Sequence, residues 1–141
     1  MKRIIPLSPR RWLALEIFRR MKRERIEEHP LRQLFWECTL RCNVRCRHCG
    51  SDCKSSPSTP DMPLEDFLKV LDSIATHTDP HNVFVIISGG EPTVREDLET
   101  CAKEIARRGY PWGMVCNGLY LTRQRLHNLI PVSYTHLTLP T

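Results

Sequence analysis

The sequence predicts an α/β fold built on parallel strands. Three short apolar segments, at 34–39, 83–88 and 112–116, are each followed by a loop and then by a stretch with helical periodicity. The second of them, VFVIIS, is apolar at every position except its last, as expected of a parallel strand covered on both faces. A threefold order of strand, loop and helix indicates either a barrel or an open parallel sheet.

A basic extension precedes the first strand. Ser8 and Pro9 are typical of a helix N-terminus, and His29-Pro30 predicts the end of that helix. We therefore expect residues 1–30 to form a basic, amphipathic extension. Its two expected faces are apolar (Trp12, Leu13, Ile17, Phe18 and Met21) and basic (Arg10, Arg11, Arg19, Arg20, Arg23 and Arg25).

The charge distribution argues against nucleic-acid binding. Residues 1–32 contain ten Lys/Arg and four Asp/Glu, a net of +6, and the rest of the chain has a net of −1. A nucleic-acid-binding domain usually carries its basic face on the folded body. No apolar run approaches the roughly 18–20 residues of a membrane span, and the N-terminus lacks the pattern of a secretory signal. A cytoplasmic location is therefore expected.

The core is predicted over residues 31–131. A helix begins near Asp61 and Pro63 with apolar residues at helical spacing, a second covers 96–108 with Gly109 as its stop, and a third covers 122–130. The last ten residues, VSYTHLTLPT, can be written in one reading frame of a transposon-end sequencing adapter. We therefore expect 132–141 to be non-native and the chain to be an N-terminal fragment.

Cysteine clustering is the most informative chemical feature. Five of the seven cysteines lie within the sixteen residues from 38 to 53, which in a chain without an export signal indicates metal or redox chemistry. Cys42, Cys46 and Cys49 have the spacing C-x3-C-x2-C. Three thiolates can hold three corners of an iron–sulfur cubane and leave one iron open, whereas electron-transfer clusters use four cysteines.

Two further segments are expected beside the cysteine loop. Gly89-Gly90-Glu91 follows the second strand directly, and Cys116-Asn117-Gly118 closes the third. Ligands of parallel α/β folds bind at the carboxyl ends of the strands. The three segments therefore predict one site.

Together, ECTLRCNVRCRHCG, ISGGEP and the CNG turn resemble the radical S-adenosylmethionine (radical SAM) superfamily over about residues 31–130. The resemblance implies the N-terminal half of a partial (β/α)6 TIM-like barrel. It also implies a [4Fe–4S] cluster on Cys42, Cys46 and Cys49. The cofactor S-adenosylmethionine would contact Gly89, Gly90 and Glu91. Asn117 and His48, which occupies a motif position that is commonly aromatic, are also expected to contact it.

The resemblance further implies an enzyme that reductively cleaves S-adenosylmethionine to a 5′-deoxyadenosyl radical, with an external flavodoxin- or ferredoxin-like electron donor. LFWECTLRCN, CGSDC and RGYPWG resemble a subgroup encoded beside a putative lipoprotein, which favours a peptide or protein substrate. A small-molecule substrate is the alternative, and the fragment itself is expected to be inactive. The rival class is a structural zinc module.

The other cysteines are expected to be structural. Cys38 lies on a strand and is expected in the core, as is Cys101 in its helix, while Cys116 is expected at the rim. Cys53 is more consistent with a structural role, although a ligand role stays open for it and for Cys38.

Overall fold

A computed structural model of the chain describes residues 8–51, 53, 55 and 57–130, with only the backbone at 27 and 28. The predicted adapter segment, 132–141, lies outside these residues. The chain divides into two compact units, Met1–Pro30 and Leu31–Thr141.

The first unit contains one long helix, α1 (Pro9–Glu28). As predicted, the Ser8 side chain caps its start by accepting a hydrogen bond from the Arg11 backbone N–H, and the helix ends at His29, which is left-handed with φ of 44°. Its side chains from 9 to 26 are exposed. At about 100° per residue, its apolar residues fall all around the helix, so the predicted apolar face is absent. The expectation of an amphipathic helix was wrong because the apolar positions lack a helical repeat.

The second unit is built on three parallel strands in the order β1-β2-β3: β1 (Gln33–Glu37), β2 (Phe84–Ser88) and β3 (Trp112–Met114). Phe35 lies opposite Ile86, and Ile86 lies opposite Gly113. The predicted parallel α/β arrangement is thereby confirmed. Sequential parallel strands joined by right-handed crossovers place their helices on one face of the sheet, as in a barrel.

Three helices follow the strands: α2 (Leu64–Ala75), α3 (Leu98–Arg107) and α4 (Arg123–Leu129). Short 3-10 turns cover Pro80–Asn82 and Pro92–Val94. Gly109 has φ of 84° and follows α3, as its predicted stop. Among the described residues, no helix combines the length and apolar composition needed to cross a bilayer.

The core lies on one face of the sheet. Val85 and Ile87 of β2 are fully buried, whereas Phe84 and Ile86 are only half-buried and Phe35 of β1 is exposed. The expectation that β2 is covered on both faces was therefore wrong for the described residues. The buried face packs with apolar residues of the helices, which include Phe67, Leu71, Leu98, Ala102 and Ile105.

One buried hydrogen bond joins α2 to the segment before β3. The Tyr110 hydroxyl is buried and donates to the Leu71 carbonyl oxygen at 2.6 Å, and burial raises the pKa of this phenol. The side chain thus anchors the start of β3 to a helix distant in sequence.

The substitution Tyr110→Phe removes this hydroxyl and keeps the ring. We expect the free energy of unfolding to fall by about 1 kcal/mol, the net value of one hydrogen bond. Urea unfolding measures it. Tyr120→Phe, at a half-exposed ring, is the matched control. Equal effects of the two substitutions would contradict the anchoring role.

Candidate functional site

The loops that follow the three strands line one cavity of about 360 Å³ at the carboxyl edge of the sheet. The first loop contributes the cysteine motif, the second contributes Ser88 to Glu91, and the third contributes Val115 to Asn117. The sequence predicted this convergence, because parallel strands end at the same edge.

Cys42, Cys46 and Cys49 all line this cavity. Cys42 is half-buried, while Cys46 and Cys49 are exposed, and the Cys49 backbone N–H donates to the Cys46 carbonyl oxygen at 3.3 Å. His48 is exposed and is not among the residues lining the cavity. Across the described part of the chain, no three His, Cys, Asp or Glu side chains are gathered as a ready site for one metal ion.

The two glycines pack against the backbone that leads into the cysteine loop. The N–H groups of Gly90 and Glu91 donate to the carbonyl oxygens of Thr39 and Arg41, both at 2.8 Å. A Cβ atom at Gly89, where φ is 134°, would overlap the Thr39 oxygen, and one at Gly90 would overlap the Arg41 oxygen. Glycine at these two positions therefore allows the loop after β2 to lie close to the backbone that leads into the cysteine loop, while their predicted contact with the cofactor stays a prediction.

Glu91 is 1% exposed, and its carboxylate binds two parts of the protein. One oxygen accepts hydrogen bonds from the Thr93 backbone N–H at 3.0 Å and from the Thr93 hydroxyl. The other accepts from the Asn117 backbone N–H at 2.6 Å. The side chain therefore ties the loop after β2 to the turn after β3, while its predicted contact with a cofactor stays a prediction.

The Asn117 side chain is also held by the protein. Its Oδ1 accepts from the Leu119 backbone N–H at 3.0 Å, and its Nδ2 donates to Oδ1 of Asn43 at 2.8 Å. Asn43 lies inside the cysteine motif and was not among the residues predicted from the sequence. Its position between Cys42 and Cys46, two predicted cluster ligands, could have indicated that it belongs to the site.

Arg95 was also missed, although it follows the glycine-rich motif closely. Its guanidinium is 4% exposed and donates to the carbonyl oxygens of Cys38, at 2.6 Å, and Met62, at 3.1 Å. It also forms a two-pronged ion pair with Asp97, with distances of 2.9 and 2.7 Å. The Cζ atom of Arg95 lies 5.3 Å from the centre of the Trp36 ring. Burial works against the charge, but the bonds with Asp97 outweigh it and raise the pKa of Arg95.

The base of the cysteine loop is held by Asp61. One carboxylate oxygen accepts from the Thr39 hydroxyl and the other from Arg41 Nη2, both at 2.6 Å. Burial disfavours the charged form, yet the hydrogen bonds from Thr39 and Arg41 outweigh it and lower the pKa of Asp61. This carboxylate thus fixes the residues just before Cys42.

The remaining cysteines differ from the motif. Cys38 and Cys101 are fully buried, and burial raises the pKa of each thiol to about 12, so both stay protonated. Both cysteines are buried in the core, as predicted. Cys116 is buried yet lines the cavity. Cys53 also lines it, and the pKa of its thiol is raised, first by burial and then by Cys49 and Cys42.

Comparison with protein families gives one match over most of the chain. A family model described as the radical SAM superfamily matches residues 36–140. The match includes the cysteine motif, the glycine-rich loop and the turn after β3.

Curated relatives are about 30% identical to the chain over the matched residues. A PqqA peptide cyclase of Bradyrhizobium diazoefficiens is 30% identical over 101 residues, which are 72% of this chain and 26% of the cyclase. An Fe-coproporphyrin III synthase of Methanosarcina barkeri is 29% identical over 102 residues, 72% of this chain and 25% of that protein. The chain thus spans about a quarter of the length of these relatives.

A solved structure shares the fold. SuiB of Streptococcus suis, bound to S-adenosylmethionine, superposes with a TM-score of 0.61 at 16% identity, over 93% of this chain and 30% of SuiB. At this identity the likeness supports the fold, a partial TIM-like barrel.

The Asp61 contacts predict an acid-sensitive loop base. A carboxylate whose pKa is lowered by folding stabilises the protein above its unfolded pKa, and that contribution is lost as pH falls through the folded value. We expect Asp61→Asn to lower the free energy of unfolding at pH 7, and this deficit to shrink below about pH 4. Urea unfolding at several pH values measures it. Asp66→Asn, at an exposed carboxylate, is the control, and a deficit for Asp61→Asn that is constant with pH would contradict the interpretation.

Proposed function

The chain belongs to the radical SAM superfamily, and from that premise we propose that its cavity holds a [4Fe–4S] cluster together with S-adenosylmethionine. The observation that carries the proposal is the shared cavity, which brings the three motif cysteines to the glycine-rich loop and the turn after β3. Enzymatic activity of the full-length protein follows from this proposal.

The donor set fits the cluster. Cys42, Cys46 and Cys49 supply three thiolates, and each thiolate of a cubane binds a different iron. The three sulfur atoms therefore need not converge on one ion, as a zinc module would require. The zinc alternative also leaves the family match and the glycine-rich loop without an explanation.

When bound, the reduced cluster would supply an electron to the sulfonium of S-adenosylmethionine, whose cleavage yields methionine and a 5′-deoxyadenosyl radical. The protein's part is to hold, orient and shield. Three motif thiolates would leave the fourth iron of the cluster without a protein ligand. Glu91 retains one unused lone-pair direction that can accept from the cofactor's ammonium group. Asn117 retains a second amide hydrogen for the ribose or methionine part.

A peptide or protein is our proposed substrate for the full-length protein. The name of the PqqA peptide cyclase and the SuiB structure bound to its precursor peptide SuiA both support a peptide. The name of the Fe-coproporphyrin III synthase supports the runner-up, a small molecule. The proposal includes a flavodoxin- or ferredoxin-like electron donor and a cytoplasmic location.

Loss of any motif thiol is expected to abolish cluster binding. The wild-type chain, reconstituted without oxygen, should hold about four iron and four sulfide per chain. Cys46→Ala should hold little of either, because two thiolates cannot retain the cubane. Iron and sulfide assays measure both, and Cys101→Ala, in α3 and outside the cavity lining, is the matched control. Full iron content in Cys46→Ala, or release of 5′-deoxyadenosine by it under dithionite, would refute the assignment.

Glu91→Gln tests the cofactor contact. We expect cluster content to be retained and the affinity for S-adenosylmethionine to fall about tenfold or more, because a hydrogen bond to a charged group is lost. Equilibrium dialysis of the reconstituted chain measures it, with Glu96→Gln, at an exposed carboxylate, as control. An unchanged affinity would contradict the proposed contact between Glu91 and the cofactor.

A further inference from the structure

We propose that Asn43 is a positioning residue, which sets the placement of the cluster ligands by joining the cysteine loop to the turn after β3. The inference rests on the proposed function and assigns a role to a residue that the cysteine motif does not require by its chemistry. Three contacts, measured from Glu91 outward, carry it.

The first contact fixes the turn after β3. Glu91 is buried and holds the Asn117 backbone N–H at 2.6 Å. Because a buried carboxylate that lost this donor would be left partly unsatisfied, the contact strongly favours one position of the turn.

The second and third contacts carry that position to the cysteine loop. The Leu119 N–H, at 3.0 Å from Asn117 Oδ1, orients the Asn117 amide so that its Nδ2 reaches Asn43 Oδ1 at 2.8 Å. The chain of hydrogen bonds therefore runs from the loop after β2, through the turn after β3, to the residue beside Cys42.

Among the described residues, this link is the hydrogen bond that joins the outer half of the cysteine loop to another part of the protein. Backbone bonds from Gly90 and Glu91 hold the loop as far as Arg41. Beyond it, hydrogen bonds among the described residues of 42–51 run within the loop, except the one from Asn117 to Asn43. Cys46 and Cys49 lie in this outer part and are exposed. Losing the Asn43 carbonyl would free the segment that carries two of the three ligands.

The Asn43 amide shows a second feature. Its Nδ2 is buried and has no partner among the described residues. An unpaired buried donor costs free energy, and the hydrogen bond that the carbonyl of the same side chain accepts from Asn117 favours this orientation of the amide.

The test compares Asn43→Ala, which removes the carbonyl, with Asn43→Asp, which keeps an acceptor for Asn117 Nδ2. Asn128→Ala, on α4, is the control for loss of an exposed amide. Thermal unfolding of each variant checks that the fold is retained, and the aspartate variant keeps the test decisive if the alanine variant is unstable.

Two measurements decide the proposal. In the cluster-free chain, hydrogen–deuterium exchange over residues 42–51 should be about 2- to 10-fold faster in Asn43→Ala, the factor expected for one net hydrogen bond, and unchanged in the other two variants. After reconstitution, Asn43→Ala should lose iron to a chelator faster than wild type, and Asn43→Asp should not.

Unchanged exchange in Asn43→Ala would overturn the proposal, as would faster exchange with unchanged iron retention. If Asn43→Ala fails to fold, unequal behaviour of Asn43→Asp and wild type in both measurements would overturn it as well. If the wild-type chain takes up no iron, the proposed function fails, and the role of Asn43 in placing cluster ligands fails with it. The exchange measurement still decides whether Asn43 anchors the loop.

Discussion

The site depends on the hydrogen bonds that the buried carboxylate of Glu91 accepts from two loops. A carboxylate at 1% exposure is tolerated only if its oxygens receive hydrogen bonds. Thr93 and Asn117 supply these bonds, and they come from two different loops. The need to satisfy one buried group therefore fixes the separation of the carboxyl ends of β2 and β3, and the cavity takes its shape from that separation.

A second buried group, the guanidinium of Arg95, stabilises the base of the cysteine loop. The guanidinium of Arg95 is bonded to the carbonyl of Cys38, to that of Met62 and to Asp97, and it lies over Trp36, whose ring stacks on Phe67 at 4.0 Å. Lysine could not form the same forked set of bonds. Arg95 thus connects the end of β1 with the loop before α2, and the core of the unit with the base of the cysteine loop.

The sequence was sufficient for the parallel sheet and for the convergence of the three loops, because period and strand order dictate both. It was not sufficient for Arg95 and Asn43, whose partners lie 57 and 74 residues away and depend on the folded chain. The apolar residues of α1 suggested an apolar helix face, but their spacing does not place them on one side of the helix. The packing of Gly89 and Gly90 against the backbone of Thr39 and Arg41 also depends on the folded chain, because these partners lie on a different loop.

The proposed [4Fe–4S] cluster is bound by three protein thiolates, and its fourth iron has no protein ligand. The most direct measurement is the electron paramagnetic resonance spectrum of the reduced, reconstituted chain before and after addition of S-adenosylmethionine. We predict a four-iron cluster signal whose g values shift when S-adenosylmethionine is added, because an iron without a protein ligand would be available to the cofactor. A cluster signal that S-adenosylmethionine leaves unchanged, or a chain that binds no iron, would contradict it.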